Sequence, residues 1–154
     1  MGHQLPERGT SWSELEERMH ALAAEDVDWR DGRAAVYVFH AGEDVLEVAK
    51  QAYALFQSEN GLGPAAFPSL ARMEREVVEM GLGLLNGPEG ACGNLTSGGS
   101  ESIFLAVKTC RDAAAAKGRD VAGGEIVLPR SAHPAFDKAA HHQALATRRV
   151  PVSE

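Results

Sequence analysis

The sequence predicts an α/β fold entered through a helical N-terminal region. Up to about residue 88, apolar residues recur every three or four positions, the period of amphipathic helices. After Gly90, short apolar stretches alternate with helical ones, the pattern of strands joined by helices in an α/β sheet. The organisation expected is a helical segment over 1–88 followed by the start of an α/β domain over 89–154.

The first helix is predicted over Ser11 to Glu25. Ser11 with Glu14 three residues on forms a capping box, and Trp12, Leu15, Met19 and Leu22 make one apolar stripe. Polar residues Asp26 to Arg33 read as a loop, and Ala34 to Phe39 as a short strand or extended stretch. A second helix is expected from Glu43 to Ser58, ended by Asn60-Gly61-Leu62-Gly63-Pro64. A third begins at Pro68, whose fixed φ suits a first helical turn. It carries Leu70, Met73, Val77, Met80 and Leu84 on one face until Asn86-Gly87-Pro88 stops it. The remaining chain reads as an extended segment at Gly93–Thr96, a glycine turn and a helix from Ser100 to about Lys117. There follow a strand over Glu125–Leu128, a helix after His133-Pro134 and a strand-like Arg149–Val152.

Two or three strands make a small sheet, and parallel sheets are ordinarily covered on both faces. The chain is therefore expected to be the N-terminal part of a longer protein, with a small complete domain carrying a bare edge as the alternative. Its charge balance is 15 Lys+Arg against 22 Asp+Glu, a net −7, and apolar residues make up 44%. That acidity argues against nucleic acid as a partner, because phosphate neutralisation needs clustered Lys and Arg. The one basic cluster is Arg148-Arg149. No apolar run reaches the ~20 residues that span a bilayer, and the N-terminus lacks the basic and apolar regions of a secretory signal. Cys92 and Cys110 offer neither a disulfide framework nor zinc spacing. A cytoplasmic protein with no metal site is the expectation.

Two places carry chemistry. Thr96-Ser97-Gly98-Gly99-Ser100-Glu101-Ser102 lies between an extended segment and an amphipathic helix. The first N–H groups of a helix lack internal partners and carry partial positive charge, so this turn can receive an anion. The local sequence alone leaves that reading level with a plain turn capped by Ser100. His133 follows the strand Glu125–Leu128, at the carboxyl end where open α/β sheets bind ligands; an imidazole there can stack on a ring or relay a proton. For an isolated histidine a simple capping role is the favoured alternative. His141-His142 reads as a solvated helix face.

Three blocks occur in register: Asn60-x₆-Phe67-Pro68-Ser69-x₃-Met73-Glu74-x₂-Val77-x₂-Met80, Thr96-Ser97-Gly98-Gly99-Ser100-Glu101-Ser102-Ile103 and Ala132-His133-x₂-Phe136-Asp137-Lys138-Ala139-Ala140. Together they resemble the sphingosine-1-phosphate lyases and their bacterial relatives, within the pyridoxal-phosphate-dependent group II decarboxylase family. The resemblance implies the N-terminal part of an aminotransferase-like (fold type I) large domain, preceded by a helical segment. It further implies that Gly99 and Ser100 hold the 5′-phosphate of pyridoxal phosphate, with Gly98 shaping the turn. His133 would stack on the pyridine ring and be the candidate for proton handling, while Tyr37 and Asn60 would line the substrate entrance. The implied activity is cleavage of a phosphorylated sphingoid base to a long-chain aldehyde and phosphoethanolamine. A homodimer is implied for the complete protein, with Val45 to Leu85 as its packing surface.

Departures from the family pattern are Ser100, where Thr is common, and Pro134 after His133. The family's covalent lysine stands in a His-Lys context well downstream of the histidine block. The four lysines here, Lys50, Lys108, Lys117 and Lys138, lack those neighbours, and Lys138 is expected to point off its helix. The chain alone is thus expected to be inactive. An amino-acid decarboxylase of the same fold is the alternative, disfavoured because decarboxylases more often read Glu-Ala-Asn after the phosphate-binding serine or threonine. A non-catalytic module that binds an anion or a partner is the other.

Overall fold

The structure, a computed structural model, describes residues 7–34, 36 and 38–152. It divides into two compact units, Met1–Glu59 and Asn60–Glu154. The sequence pattern places its change at residue 88, whereas the third helix belongs with the second unit.

In the first unit, α1 spans Trp12–Leu22 and runs into a 3₁₀ turn at Ala23–Glu25. The capping box is present in both directions: the Ser11 hydroxyl accepts from the Glu14 amide, and the Glu14 carboxylate accepts from the Ser11 amide. Helix α2, Glu43–Leu55, starts at Gly42, whose φ of 120° is a conformation side chains rarely adopt. A polar cluster fixes the entry to α2. Arg30 lies 4.2 Å over the Trp29 ring and pairs with Glu43 at 3.1 Å, and Trp29 meets His40 edge-on. The helix ends three residues before the expected Ser58, because i→i−3 turns at Phe56 and Glu59 replace the helical ladder. Ala34, Val36, Val38 and Phe39 belong to no strand, correcting the expectation for that stretch.

In the second unit, α3 (Pro68–Leu84) begins on its proline, as expected. Just beyond its end, Asn86 takes a left-handed φ of 53° and the Gly87 amide returns to the Leu82 carbonyl at 2.8 Å. The same terminating geometry closes the next two helices. Gly118 (φ 74°) follows α4 (Gly99–Ala116), and Ala144 (φ 55°) follows α5 (Ala135–His142). Residues 93–96 form no strand. They lie against α3 so closely that a Cβ on Gly93 would stand 3.1 Å from Val78.

Strands β1 (Glu125–Pro129) and β2 (Ala146–Val150) pair in parallel, from Glu125 opposite Ala146 to Pro129 opposite Val150. Helix α5 is the crossover that parallel neighbours require. The second strand starts three residues earlier than expected, because the left-handed turn at Ala144 delivers Ala146 directly opposite Glu125. Pro151, with no N–H, cannot extend the ladder.

Among the described residues, the buried apolar ones are Val107 of α4, Leu128 of β1 and Ala135, Ala139 and Ala140 of α5. Alanines on the inner face of α5 let it approach α4 closely, and the Gln143 amide group ties the two by donating to the Phe104 carbonyl at 3.3 Å. Much apolar surface stays open. A cavity of about 360 Å³ between α4 and β1 is lined by Val107, Cys110, Ile126, Leu128 and Phe136, and Val127 on the other sheet face is exposed. Among the described residues, no helix is long and apolar enough to cross a membrane.

Candidate functional site

Gly98 makes the turn into α4. Its φ of 154° with ψ of 174° lies in a region open essentially to glycine, while no atom stands within 4 Å of where its Cβ would be. The requirement is therefore one of backbone conformation, not of space. The Gly98 carbonyl starts the helix by accepting the amides of Glu101 and Ser102, each at 3.1 Å. It also lies 3.2 Å from the Thr96 hydroxyl, which shares a hydrogen bond of 2.6 Å with the Ser102 hydroxyl.

These bonds leave the Gly99 and Ser100 amides without a protein partner among the described residues. Both sit at the start of an 18-residue helix, where the unsatisfied N–H groups carry the positive end of the macrodipole. Glu101 turns back, and its carboxylate accepts the Ser97 amide at 2.6 Å. That backbone bond, with the Ser97 side chain, lowers the Glu101 pKa below its usual value. Its negative charge therefore satisfies Ser97 and leaves the Gly99 and Ser100 donors free.

Ser97 and Ser100 open onto a concavity of about 480 Å³ shared with Glu101 and Phe104 of α4 and with Ala135, Lys138, Ala139 and His142 of α5. Lys138, expected to point off its helix, is exposed and borders this space. His141 and His142 are exposed, as expected of a solvated face, and the His142 ring also meets Phe104 edge-on with centroids 6.2 Å apart. His133 immediately precedes this wall but is not among the residues lining the concavity. Its ring is exposed yet not unpartnered, because Nδ1 accepts the Ala135 amide at 3.1 Å. That bond requires Nδ1 to be unprotonated, so the neutral ring carries its proton on Nε2.

Asn60 is exposed, and its side-chain oxygen accepts the Leu62 amide at 3.1 Å, a local turn role. Tyr37 lies outside the described residues. No metal-binding cluster occurs among the described residues.

A glycine turn, two free helix-start amides and a histidine set after a parallel strand can be compared with known proteins. No protein-family model matches the chain. Over 146 residues, 95% of its length, it is 43% identical to sphingosine-1-phosphate lyase 1 of Rattus norvegicus. The chain is a homologue of the sphingosine-1-phosphate lyases. It spans about a quarter (25%) of that relative's length. The sphingosine-1-phosphate lyase of Burkholderia pseudomallei superposes with a TM-score of 0.86 at 35% identity, covering 99% of this chain and 37% of the other. A glutamate decarboxylase of Lactobacillus brevis superposes with a TM-score of 0.77 at 20% identity, covering 99% and 36%, which shows the shared fold alone. The chain is thus part of a fold-type-I α/β domain.

Of the residues singled out from the sequence, Ser100 lines the concavity and His133 does not, while Lys138 lines it without having been singled out. The signal was present: Lys138 is three residues after Ala135 and one before Ala139, so helical spacing puts it beside the buried face.

Proposed function

We propose that this chain is the cofactor-phosphate part of a pyridoxal-phosphate-dependent lyase that cleaves phosphorylated sphingoid bases to a long-chain aldehyde and phosphoethanolamine. The observation that carries the reading is the pair of unpartnered amides, Gly99 and Ser100, opening beside a lysine-lined concavity in a homologue of those lyases. Such donors suit a phosphate dianion, and the Ser100 hydroxyl adds one more. Lys138 and Glu101 both border the same concavity, so a cation and a carboxylate face it together. Gly98 holds the turn that points the amides outward.

When bound, the cofactor's pyridine ring takes up the electron pair released as the carbon–carbon bond breaks. His133 would lie across that ring. Its Nδ1 is committed to Ala135, so Nε2 is the nitrogen left to hold or move a proton. A homodimer packed through the helical region between Val45 and Leu85, acting on a small phosphorylated substrate in the cytoplasm, belongs to the same reading. Exposed Val77, Met80 and Leu84 on α3 support such a packing face.

The test is equilibrium binding of pyridoxine 5′-phosphate, which cannot bond covalently to lysine, against unphosphorylated pyridoxine. The phosphate form should bind more tightly, and Ser100→Ala should weaken it roughly 10- to 100-fold, the worth of a hydrogen bond to a charged group. Equal affinity for the two forms would sink the phosphate assignment. Activity of the full-length protein on phosphorylated sphingoid bases, set against acidic and aromatic amino acids, separates lyase from decarboxylase.

A further inference from the structure

We propose that Arg149 is a positioning residue for the His133 imidazole, acting through the loop that joins β1 to α5. Neighbouring residues on a strand point to opposite faces, and the Arg148-Arg149 pair divides its work accordingly. Arg148 stays on the exposed side and pairs with Glu125 across the ladder at 2.8 Å. Arg149 is more enclosed, with 27% of its side chain exposed. Its Nη1 reaches the carbonyls of Pro129 at 2.9 Å, Arg130 at 3.3 Å and Ala132 at 3.0 Å, and its Nη2 pairs with the Asp137 carboxylate.

One planar guanidinium thus gathers three carbonyls of the segment just before His133 and an acid in the first turn of α5. Both flanks of His133 are held by the same group. Between them, the Ala135 amide meets Nδ1 only if the ring is turned toward the helix start. Asp137 is well placed for this, since a carboxylate in the first turn also suits the helix dipole. Lysine would keep the charge, yet a single ammonium lacks the planar fork that serves several acceptors at once. The five-residue loop, 130–134, has two backbone bonds of its own, Ala132 to the Pro129 carbonyl at 3.0 Å and Arg130 to the Val150 carbonyl at 2.9 Å, both before His133; the clamp adds the tie across His133 to Asp137, and with it the direction in which Nε2 is presented.

The functional meaning of the clamp rests on the reading of His133 as the ring-facing residue, but the clamp is tested without cofactor. The experiment records imidazole ¹H–¹⁵N spectra of the ¹⁵N-labelled 154-residue chain at about pH 8, where an unperturbed imidazole is neutral. In the unmodified chain, His133 should favour the Nε2–H form about five-fold more than exposed His20 does, the worth of one hydrogen bond of about 1 kcal/mol at 1.4 kcal/mol per ten-fold. Arg149→Met should erase that excess, Arg149→Lys should leave it reduced, and Val107→Ala, a destabilisation elsewhere, should leave it intact. An unmodified His133 no different from His20, or an excess surviving in both Arg149 variants, overturns the proposal. Should Arg149→Met lose its far-UV circular dichroism, Arg149→Lys carries the comparison, and the unmodified chain remains a test in itself. A failure of cofactor-phosphate binding moves none of these signals, so the two readings fall separately.

Discussion

Replacing Gly98 by alanine isolates what the glycine turn is for. The backbone there stands at φ 154°, ψ 174°, where a non-glycine residue costs about 1–3 kcal/mol. A Cβ would meet nothing within 4 Å, so no clash adds to this strain and no new packing offsets it. Gly99→Ala is the matched control. Its Cβ also meets nothing, and its φ is not in the positive range. Alanine's higher helix propensity makes that change neutral or stabilising by up to about 1 kcal/mol. Gly98→Ala should therefore be the less stable of the two, by about 2.5 kcal/mol at the centre of the range. For a unit of about 95 residues that is a melting-temperature gap of roughly 10–20 °C. Thermal unfolding by far-UV circular dichroism, with hydrogen exchange of the α4 amides to place the loss in the second unit, measures it. Gly98→Ala as stable as the parent, or Gly99→Ala the worse of the two, would refute the conformational argument.

Ala144 is an alanine in a glycine's place, at φ 55° after α5. Relief of about 1–2 kcal/mol of left-handed strain, less the added freedom of glycine in the unfolded chain, makes Ala144→Gly stabilising by up to about 1 kcal/mol; urea unfolding should show a raised midpoint. Ala139 is completely buried against α4, so Ala139→Leu should overpack the contact and cost about 1–3 kcal/mol in the same assay. The depressed Glu101 pKa comes chiefly from the Ser97 amide. A group lowered on folding stabilises the native state above its unfolded pKa, about 4.3, and loses that contribution as pH falls through the folded value. The Ser97 amide resonance should accordingly shift with a midpoint below that of a free glutamate, and Glu101→Gln should abolish the transition.

Where local rules decide, the sequence was readable. Ser11 and Glu14 announced a capping box that is present in full, Pro68 opened α3, and Asn86 closed it. Gly98 to Ser100 and His133 were visible because glycine and histidine in those places have few ordinary uses. Failures came where tertiary contacts or turn chemistry won. Ala34 to Phe39 has the composition of a strand, but its described residues have no partner strand to pair with. The second strand was placed late because Ala144 carries no mark of a left-handed turn, whereas Gly118 does. Arg149 read as half of a basic dipeptide, since nothing in a linear pattern reveals that its neighbour Arg148 faces the other way. Lys138 was set aside in a search for a covalent lysine, and the structure shows it bordering the concavity that Ser100 opens onto.

Only Gln143, Ala144 and Leu145 separate α5 from β2, and Arg149 on β2 reaches back to both ends of the loop that begins α5. Backbone and guanidinium together close a ring: out along β1, through the loop and helix, around a tight corner, along β2 and home again. A lever built this way has no free end. Tilting the helix would drag the strand, and the strand would drag the very carbonyls beside His133, so the imidazole should move with the whole ring or not at all.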